Sequence, residues 1–408
     1  MRAVRSLVLL ALAAGIASAQ GQPAPGKVDQ KDVDAAIDKG ANYLAKQSGS
    51  WLNGTEPHFE LVMYTLFHSG TYPRDSKVFL DGVALMKTKK LEKTYNVALT
   101  AMFLESYDRV ANQKRIRDCG QFLVDNQCEN GQWSYGEPID LGDGGKPDDG
   151  PVVNSGGGSS AGGGTSRGPG SRAGQRIILK RNRRGPPTGD HSNTQYAILG
   201  LRSVAAAEVI PPKETWEDAL KILEEAQDNE GSWSYSYQNS AGGADPKKGG
   251  PKVIITKNPG YGSMTCGCVG SLVICKYYLR AHYGKNEDYK KDKRVLDGLK
   301  WIADHFTVEE NANYEKVKAT ASIPTGDKYT WHYYYLYALE RAGMLGDWAN
   351  FGKYDWYEIG ARWLLANQNP DGSWKGKHGN DTYADTCFAI LFLRRATKPV
   401  APVVRSGR

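Results

Sequence analysis

Four segments of the chain share one pattern, and this repetition constrains the fold more than any other feature. In each, a stretch with helical spacing of apolar residues ends in Gln, and Gly-x-Trp follows after a short gap. A glycine there permits the left-handed turn that ends a helix, and the Trp can then cover the next helix. We therefore predict that these Gln and Trp residues are structural and that each Trp is buried between repeats. The pairs are Gln47 and Trp51, Gln127 and Trp133, Gln227 and Trp233, and Gln368 and Trp374.

A second, more apolar helix is predicted after each copy, as expected for an element buried on several sides. These second helices span residues 59–69, 193–207, 264–282 and 381–396. Two further pairs lack Gly-x-Trp, namely 76–89 with 95–107 and 289–306 with 328–344. Helix pairs in series form an open solenoid or a closed ring. The last helix is as apolar as the middle ones and has no polar outer face, which favours closure. We predict an all-α domain over residues 30–397, with six outer and six inner helices.

Two inserts interrupt the pattern at corresponding places and are predicted to lie at one end of the ring. The longer, 137–189, contains a Gly/Ser-rich run and is predicted to be disordered. Its acidic residues come first and its arginines last. Those arginines could bind an acidic polymer, but a solvated tail is the favoured interpretation. The shorter insert, 236–262, is predicted to be a loop over the same mouth.

The Gln and Gly-x-Trp repeats resemble the QW motifs of squalene and oxidosqualene cyclases. The alternating helix pairs also resemble the β subunits of protein prenyltransferases. The resemblance spans about residues 30–397 and implies an α/α toroid, a closed ring of six helix pairs. It says less about activity, because the motif is structural and the same fold carries non-enzymatic and polysaccharide-cleaving members.

The catalytic motifs of those families are incomplete in this chain. Squalene cyclases carry Asp-x-Asp-Asp-Thr-Ala, whose central Asp protonates the substrate. The nearest match, 382–387, has Ala384 at that position and keeps only Asp385 and Thr386. The zinc ligands of prenyltransferases would correspond to Asp327, Tyr329 and Asp385, a set without the N and S ligands that zinc prefers. We therefore expect neither reaction.

Cysteine offers one alternative metal site and one disulfide candidate. Cys266, Cys268 and His332 could rebuild a zinc site, but buried thiols beside a histidine are the favoured interpretation. Cys119 and Cys128 are the simplest local disulfide pair in a chain with six cysteines. We expect no metal and no cofactor.

Polar and aromatic residues at the starts of the inner helices are the candidate site. Helix N-termini favour anions, and in such a ring they face one mouth. Trp331 begins an aromatic run that either packs in the wall or stacks on a ligand, and wall packing is favoured. The candidate catalytic residues are Asp190, His191, His332, Asp381 and Asp385. The candidate cavity or ligand-binding residues are His58, Tyr95, Asn193, Trp331, Tyr333 and Tyr383.

The first 19 residues indicate export. Arg2 and Arg5 precede an apolar run, and Ala17-Ser18-Ala19 has the small residues of a cleavage site, so residues 1–19 are predicted to be a signal peptide. No later stretch has about 20 uninterrupted apolar residues, so we expect no stable membrane insertion. The net charge of +7 is too modest to indicate nucleic acid.

Two classes of function remain open. The first is an exported binding or scaffold protein that keeps the toroid without its chemistry. The second is an extracytoplasmic enzyme, terpenoid- or polysaccharide-active, using Asp, His and Tyr residues at the mouth. We expect a monomer, and the ligand is a small molecule, an isoprenoid or a glycan.

Overall fold

The structure is a computed structural model. It describes residues 27–46, 58–139, 175–236, 259–284, 288–318, 326–377 and 381–401. Gln47 and Trp51 of the first repeat therefore lie outside the described residues, as do residues 1–26, which include the predicted signal peptide.

Thirteen α-helices form the described part of the domain, twelve of them in outer–inner pairs. The outer helices are α1 (Gln30–Lys46), α3 (Lys77–Thr88), α5 (Gln113–Asp125), α7 (Lys213–Ala226), α9 (Lys293–Asp304) and α12 (Trp356–Ala366). The inner helices are α2 (Phe59–Ser69), α4 (Thr94–Asp108), α6 (His191–Ala206), α8 (Gly262–Tyr283), α11 (His332–Leu345) and α13 (Thr382–Arg394). The short α10 (Tyr314–Lys318) precedes α11. Two short strand pairs join β1 (Ile177–Ile178) to β2 (Val209–Ile210) and β3 (Asn350–Phe351) to β4 (Tyr354–Asp355).

The inner helices form a closed ring. Each packs on the next in chain order, and the last, α13, packs on the first, α2. The outer helix α1 lies against both α13 and α2, so the two ends of the domain are in contact and the ring is closed. The predicted all-α toroid of six helix pairs is therefore confirmed.

Burial explains why the two sets of helices differ in sequence. In the outer helix α9, Val295, Gly298, Trp301 and Ile302 form one buried stripe. In the inner helix α8, nearly every residue from Gly262 to Leu279 is buried, because neighbours cover all sides.

The described Gly-x-Trp copies make the same hydrogen bonds at three junctions between neighbouring helices, here called seams. Each indole Nε1 donates to the carbonyl ten residues earlier, on the preceding outer helix, at 2.7–2.8 Å. Each Trp backbone N–H donates to a threonine hydroxyl of the following inner helix, at 3.0–3.2 Å. Trp133, Trp233 and Trp374 are fully buried. Each Trp thus joins its own outer helix to the inner helix that follows.

The glutamines extend each seam to the next outer helix. Gln127 Nε2 donates to the carbonyls of Gly131 and Thr215, and Gln227 Nε2 donates to those of Gly231 and Arg294. In the last repeat, Gln368 Nε2 donates to Gly372 O and to Ala36 O, both at 2.9 Å. Because Ala36 lies on α1, this last contact helps to close the ring.

Residues 175–189, the end of the longer insert, have defined contacts. They run beside α5 and α7, with β1 paired to β2. Arg181 and Arg184 pair with Asp218 at 3.0 and 3.1 Å, and Arg183 pairs with Glu137 at 3.2 Å. For these residues the prediction of disorder was wrong, because Asp218 on α7 and Glu137 at the start of the same insert pair with the arginines. Residues 140–174 and 237–258, the remainder of the two inserts, lie outside the described residues.

Candidate functional site at the mouth of the ring

The N-terminal ends of the inner helices define one face of the ring, here called the mouth. The candidate residues are spread around it because they start different helices. His58 precedes α2, Asp190 precedes α6, Trp331 precedes α11, and Asp381 precedes α13. In the structure, most of the candidate residues lie in or beside three groups of contacting side chains, and Trp331 lies apart from them.

The first group joins the starts of α2 and α13. His58 Nε2 forms a close ion pair with Asp381, whose other oxygen accepts the Ala384 backbone N–H at 2.9 Å. Burial alone would raise the pKa of Asp381, but the hydrogen bonds from His58 and Ala384 outweigh it and lower the pKa. Asp381 is therefore a helix cap and an ionised partner for His58, and it is a poor proton donor.

Asp385 lies one turn further along α13. Its carboxylate accepts the Gly376 backbone N–H at 2.8 Å, which holds the chain that follows Trp374. Burial, reinforced by the nearby charge of Asp381, raises the pKa of Asp385 to about 6. Burial and the charge of Asp385 likewise raise the pKa of Tyr333. Asp385 is thus the candidate acid that a pH near neutral would leave partly protonated.

The second group lies at the start of α6. The Asp190 carboxylate caps the helix by accepting the backbone N–H and the side-chain amide of Asn193, both at 2.8 Å. Burial raises the pKa of Asp190, although these donors act against it. Burial lowers the pKa of His191 to about 4, so the ring is neutral and its Nδ1 donates to Ser234 O at 2.8 Å. Both residues therefore hold backbone in place.

The predicted role of the aromatic run at the start of α11 splits between wall and surface. His332 is buried, its Nε2 lies 2.9 Å from Val308 O, and burial lowers its pKa to about 4. Its ring contacts those of Tyr333 and Trp363. Trp331, in contrast, is 63% exposed. Tyr383 contacts the ring of Tyr43 at the edge of the mouth.

The alternative zinc site does not assemble. His332 Nε2 is hydrogen-bonded to Val308 O. Cys266 and Cys268 are buried thiols whose pKa values are raised by burial. No group of three His, Cys, Asp or Glu side chains able to hold a metal occurs among the described residues. The candidate disulfide between Cys119 and Cys128 is not formed, because all six cysteines are free and buried.

The third group spans the ring just below the mouth. Ser192 Oγ lies 2.9 Å from Tyr334 OH and forms a shorter hydrogen bond with Tyr95 OH. The two tyrosine hydroxyls are 3.3 Å apart. These residues, the hydroxyl cluster, come from α6, α11 and α4, and α4 lies opposite α11 in the ring. Polar contacts therefore cross the lumen at this level.

A second polar layer lies deeper and was missed by the sequence analysis. Arg341 is 1% exposed and donates to Gln195 Oε1 at 2.5 Å, and its guanidinium lies over the rings of Tyr196 and Tyr337. Next to it, Glu340 is fully buried. The signal for this layer was present, since Glu340 and Arg341 are adjacent charges in an otherwise apolar inner helix.

No helix within the described part of the chain is both long and apolar enough to cross a membrane.

Comparison with known proteins gives similarity in structure alone. No protein-family model matches the sequence, and no curated protein is similar to it. Among solved structures, the chain is similar to the type II terpene cyclase MstE from Scytonema, in two complexes with geranylgeranyl dihydroxybenzoate, described there as the substrate. The first match has 10% identity and a TM-score of 0.46, covering 90% of this chain and 98% of that chain. The second has 10% identity and a TM-score of 0.45, covering 90% and 97%. The likeness is one of fold, an α/α toroid, and it carries no conclusion about activity.

Proposed function

We propose that this chain is an exported binding or scaffold protein that holds its ligand at the mouth of the ring and performs no isoprenoid chemistry. The observation that carries this proposal is the hydroxyl cluster, which ties α4, α6 and α11 together across the lumen. Cyclisation of an isoprenoid needs a long apolar cavity with a strong acid at its end. Here hydrogen-bonded tyrosines occupy that space, and buried Ala384 stands where the resembling motif has its acid.

The mouth itself offers surfaces suited to binding. Trp331 is 63% exposed and Tyr135 is 65% exposed, so both present aromatic faces to solvent. The Tyr135 hydroxyl lies 3.3 Å from that of Tyr235, the corresponding residue of the next Gly-x-Trp copy. Exposed aromatic faces beside polar groups suit the stacking of a sugar ring or of an isoprenoid chain.

Export is part of the same proposal. It is supported by the charged start, the apolar run and the Ala17-Ser18-Ala19 site of the first 19 residues. N-terminal sequencing of protein recovered from outside the cytoplasm should begin at Gln20. An intact Met1 on all of the protein would contradict export by this route.

The decisive activity experiment uses the mature protein. Incubation with squalene, and separately with prenyl diphosphates and a thiol acceptor, should give no turnover. Titration with oligosaccharides and isoprenoid alcohols should change the fluorescence of the exposed Trp331, and Trp331→Phe should remove that change. Tyr107→Phe, far from the mouth, serves as the matched control. Turnover of an isoprenoid that is lost in Asp385→Asn would overturn the proposal.

One observation favours the alternative, an enzyme acting at the mouth. Asp385 has its pKa raised to about 6 and lies near the ion pair of His58 and Asp381, so a proton donor and a carboxylate base are neighbours. Polysaccharide cleavage by two carboxylates is the reaction class that this arrangement would serve. Release of reducing ends from a polysaccharide panel, abolished equally by Asp385→Asn and Asp381→Asn, would establish it.

A further inference from the structure

Arg341 is a buried cation without a carboxylate partner. It lies on α11, is 1% exposed, and forms no ion pair with any residue that the structure describes. Its polar partners are Gln195 Oε1 at 2.5 Å and Tyr196 OH at 3.4 Å. A charge removed from water is costly unless an opposite charge or a full set of hydrogen bonds replaces the lost hydration.

Aromatic rings cover the guanidinium but do not neutralise it. The Arg341 Cζ atom lies 4.3 Å from the ring centroid of Tyr337, 5.1 Å from that of Tyr196 and 5.9 Å from that of Tyr334. Contacts of this kind stabilise a cation by less than the cost of removing an ion from water. The rings therefore favour a cation here and leave its charge unbalanced.

The neighbouring acid does not supply the missing charge. Both oxygens of Glu340 point to Thr397, accepting its backbone N–H at 2.9 Å and its hydroxyl at 2.7 Å. Burial raises the pKa of Glu340 to about 7, so much of this carboxyl is neutral near neutral pH. Glu340 holds the C-terminal segment and forms no ion pair with Arg341.

The unused polar groups around Arg341 are mainly donors. A guanidinium has five N–H groups, and two of those in Arg341 are occupied. Gln195 is also 1% exposed, and its Nε2 has no hydrogen-bond partner. Its orientation is fixed by the bond from its Oε1 to Arg341. The Gln195 amide packs directly on Gly267 of α8, since a Cβ there would come within 2.2 Å of Gln195 Oε1.

We propose that Arg341 and Gln195 form a buried site for a small oxyanion within the lumen, below the hydroxyl cluster. Its ligand is a carboxylate or an inorganic phosphate, because such a group accepts several hydrogen bonds and carries the missing negative charge. The backbone of Arg341 lies seven residues beyond Tyr334 on α11, about 10 Å further along the helix from the mouth. The anion therefore lies inside the ring, and the site is separate from the ligand surface proposed at the mouth.

The test is thermal unfolding of the mature protein in sodium acetate or sodium phosphate, with sodium chloride added to hold ionic strength constant. Since an anion that binds only the folded state stabilises it, Tm should rise with the concentration of the binding oxyanion. The acetate and phosphate series distinguish the two sources of the oxyanion. The rise should disappear in Arg341→Gln and should persist in Arg109→Gln, a control at an exposed arginine.

A second pair of variants keeps the proposal testable if Arg341→Gln does not fold. Gly267→Ala displaces the Gln195 amide, and Gln195→Leu removes its unpaired donor. Each should weaken oxyanion binding at least tenfold in the same titration. A wild-type protein whose Tm is independent of both oxyanions would overturn the site. So would an equal rise in the wild type and in all three lumen variants.

Discussion

The seams and the lumen of this ring differ in how regular their contacts are. At the seams, the same three kinds of bond recur wherever a Gly-x-Trp copy is described, and each joins helices that are neighbours in the ring. Among the lumen residues that the structure describes, the contacts differ from one helix to the next: Ser192 contacts Tyr334, and Arg341 contacts Gln195. The repeats therefore specify a ring, and the residues that differ between repeats specify what the ring contains.

The largest expected effect comes from the seams. Replacing Trp233 by Ala should lower the free energy of unfolding by about 3–5 kcal/mol, because a fully buried indole and its hydrogen bond to Leu223 O are lost. Trp331→Ala, at an exposed tryptophan of the mouth, should change it by less than about 0.5 kcal/mol. Urea unfolding measures both. Equal effects of the two substitutions would end the distinction between seam and surface.

A smaller loss of stability should distinguish a steric clash at the seam from the strain of a left-handed backbone conformation. Gly231 has φ +92°, and a Cβ there would lie 2.5 Å from the Asp297 carbonyl oxygen on the next outer helix. Gly284 also has positive φ, at +65°, but a Cβ there would have no neighbour within 4 Å. Gly231→Ala should therefore destabilise by about 2–4 kcal/mol and Gly284→Ala by about 1 kcal/mol. Similar losses at both sites would mean that the seam can relax around the added methyl group.

The difference between seam and lumen also explains what the sequence could reveal. The helix pairs were predictable because each repeat carries its own periodicity and its own Gly-x-Trp. The candidate residues were placed at one mouth by the same regularity. The contacts of the hydroxyl cluster and of Arg341 were not predictable, since they join residues 239 and 146 positions apart in the chain. Nothing local in Tyr95 or Gln195 indicates which helix lies across the ring.

The order of residues 175–189 was missed for a related reason. Segregated charge in a Gly-rich segment is typical of disorder when its partners are unknown. Here Asp218 lies on α7, 34 and 37 residues from the arginines that it pairs with, and Glu137 lies at the opposite end of the insert from Arg183. The sequence shows the charges, but the pairing belongs to the tertiary structure.

In the lumen, Glu340 should make stability depend on pH. Burial raises its pKa from 4.5 to about 7 in the folded chain, so the folded state holds this proton more tightly than the unfolded state. Protonated Glu340 therefore contributes up to about 3 kcal/mol to the free energy of unfolding. This contribution is fully present below about pH 4.5 and is lost as the pH rises through about 7. Glu340→Gln can keep the contact with Thr397 and should be more stable than the wild type at pH 8.

The measurement for Glu340 is the difference in urea-unfolding free energy between variant and wild type, at pH 5 and at pH 8. Taking the difference between variant and wild type removes the effect of other buried carboxyls, such as Asp385, whose pKa values are also raised. Glu309→Gln, at an exposed residue, should show no such change with pH. A variant with the pH dependence of the wild type would show that Glu340 is ionised at pH 5 despite its burial.

The smallest expected effect lies at the mouth, where Asp385 and Asp381 share the first turns of α13. In the folded protein, the Asp385 carboxyl should titrate near pH 6 in a ¹³C NMR experiment. Asp381→Asn should move its pKa downward by less than about one unit, because a neighbouring negative charge is removed. His58→Gln should move it upward, since His58 acts on Asp385 in the opposite sense. A wild-type Asp385 that titrates near pH 4 would contradict the raised pKa and remove the main support for an enzyme at the mouth.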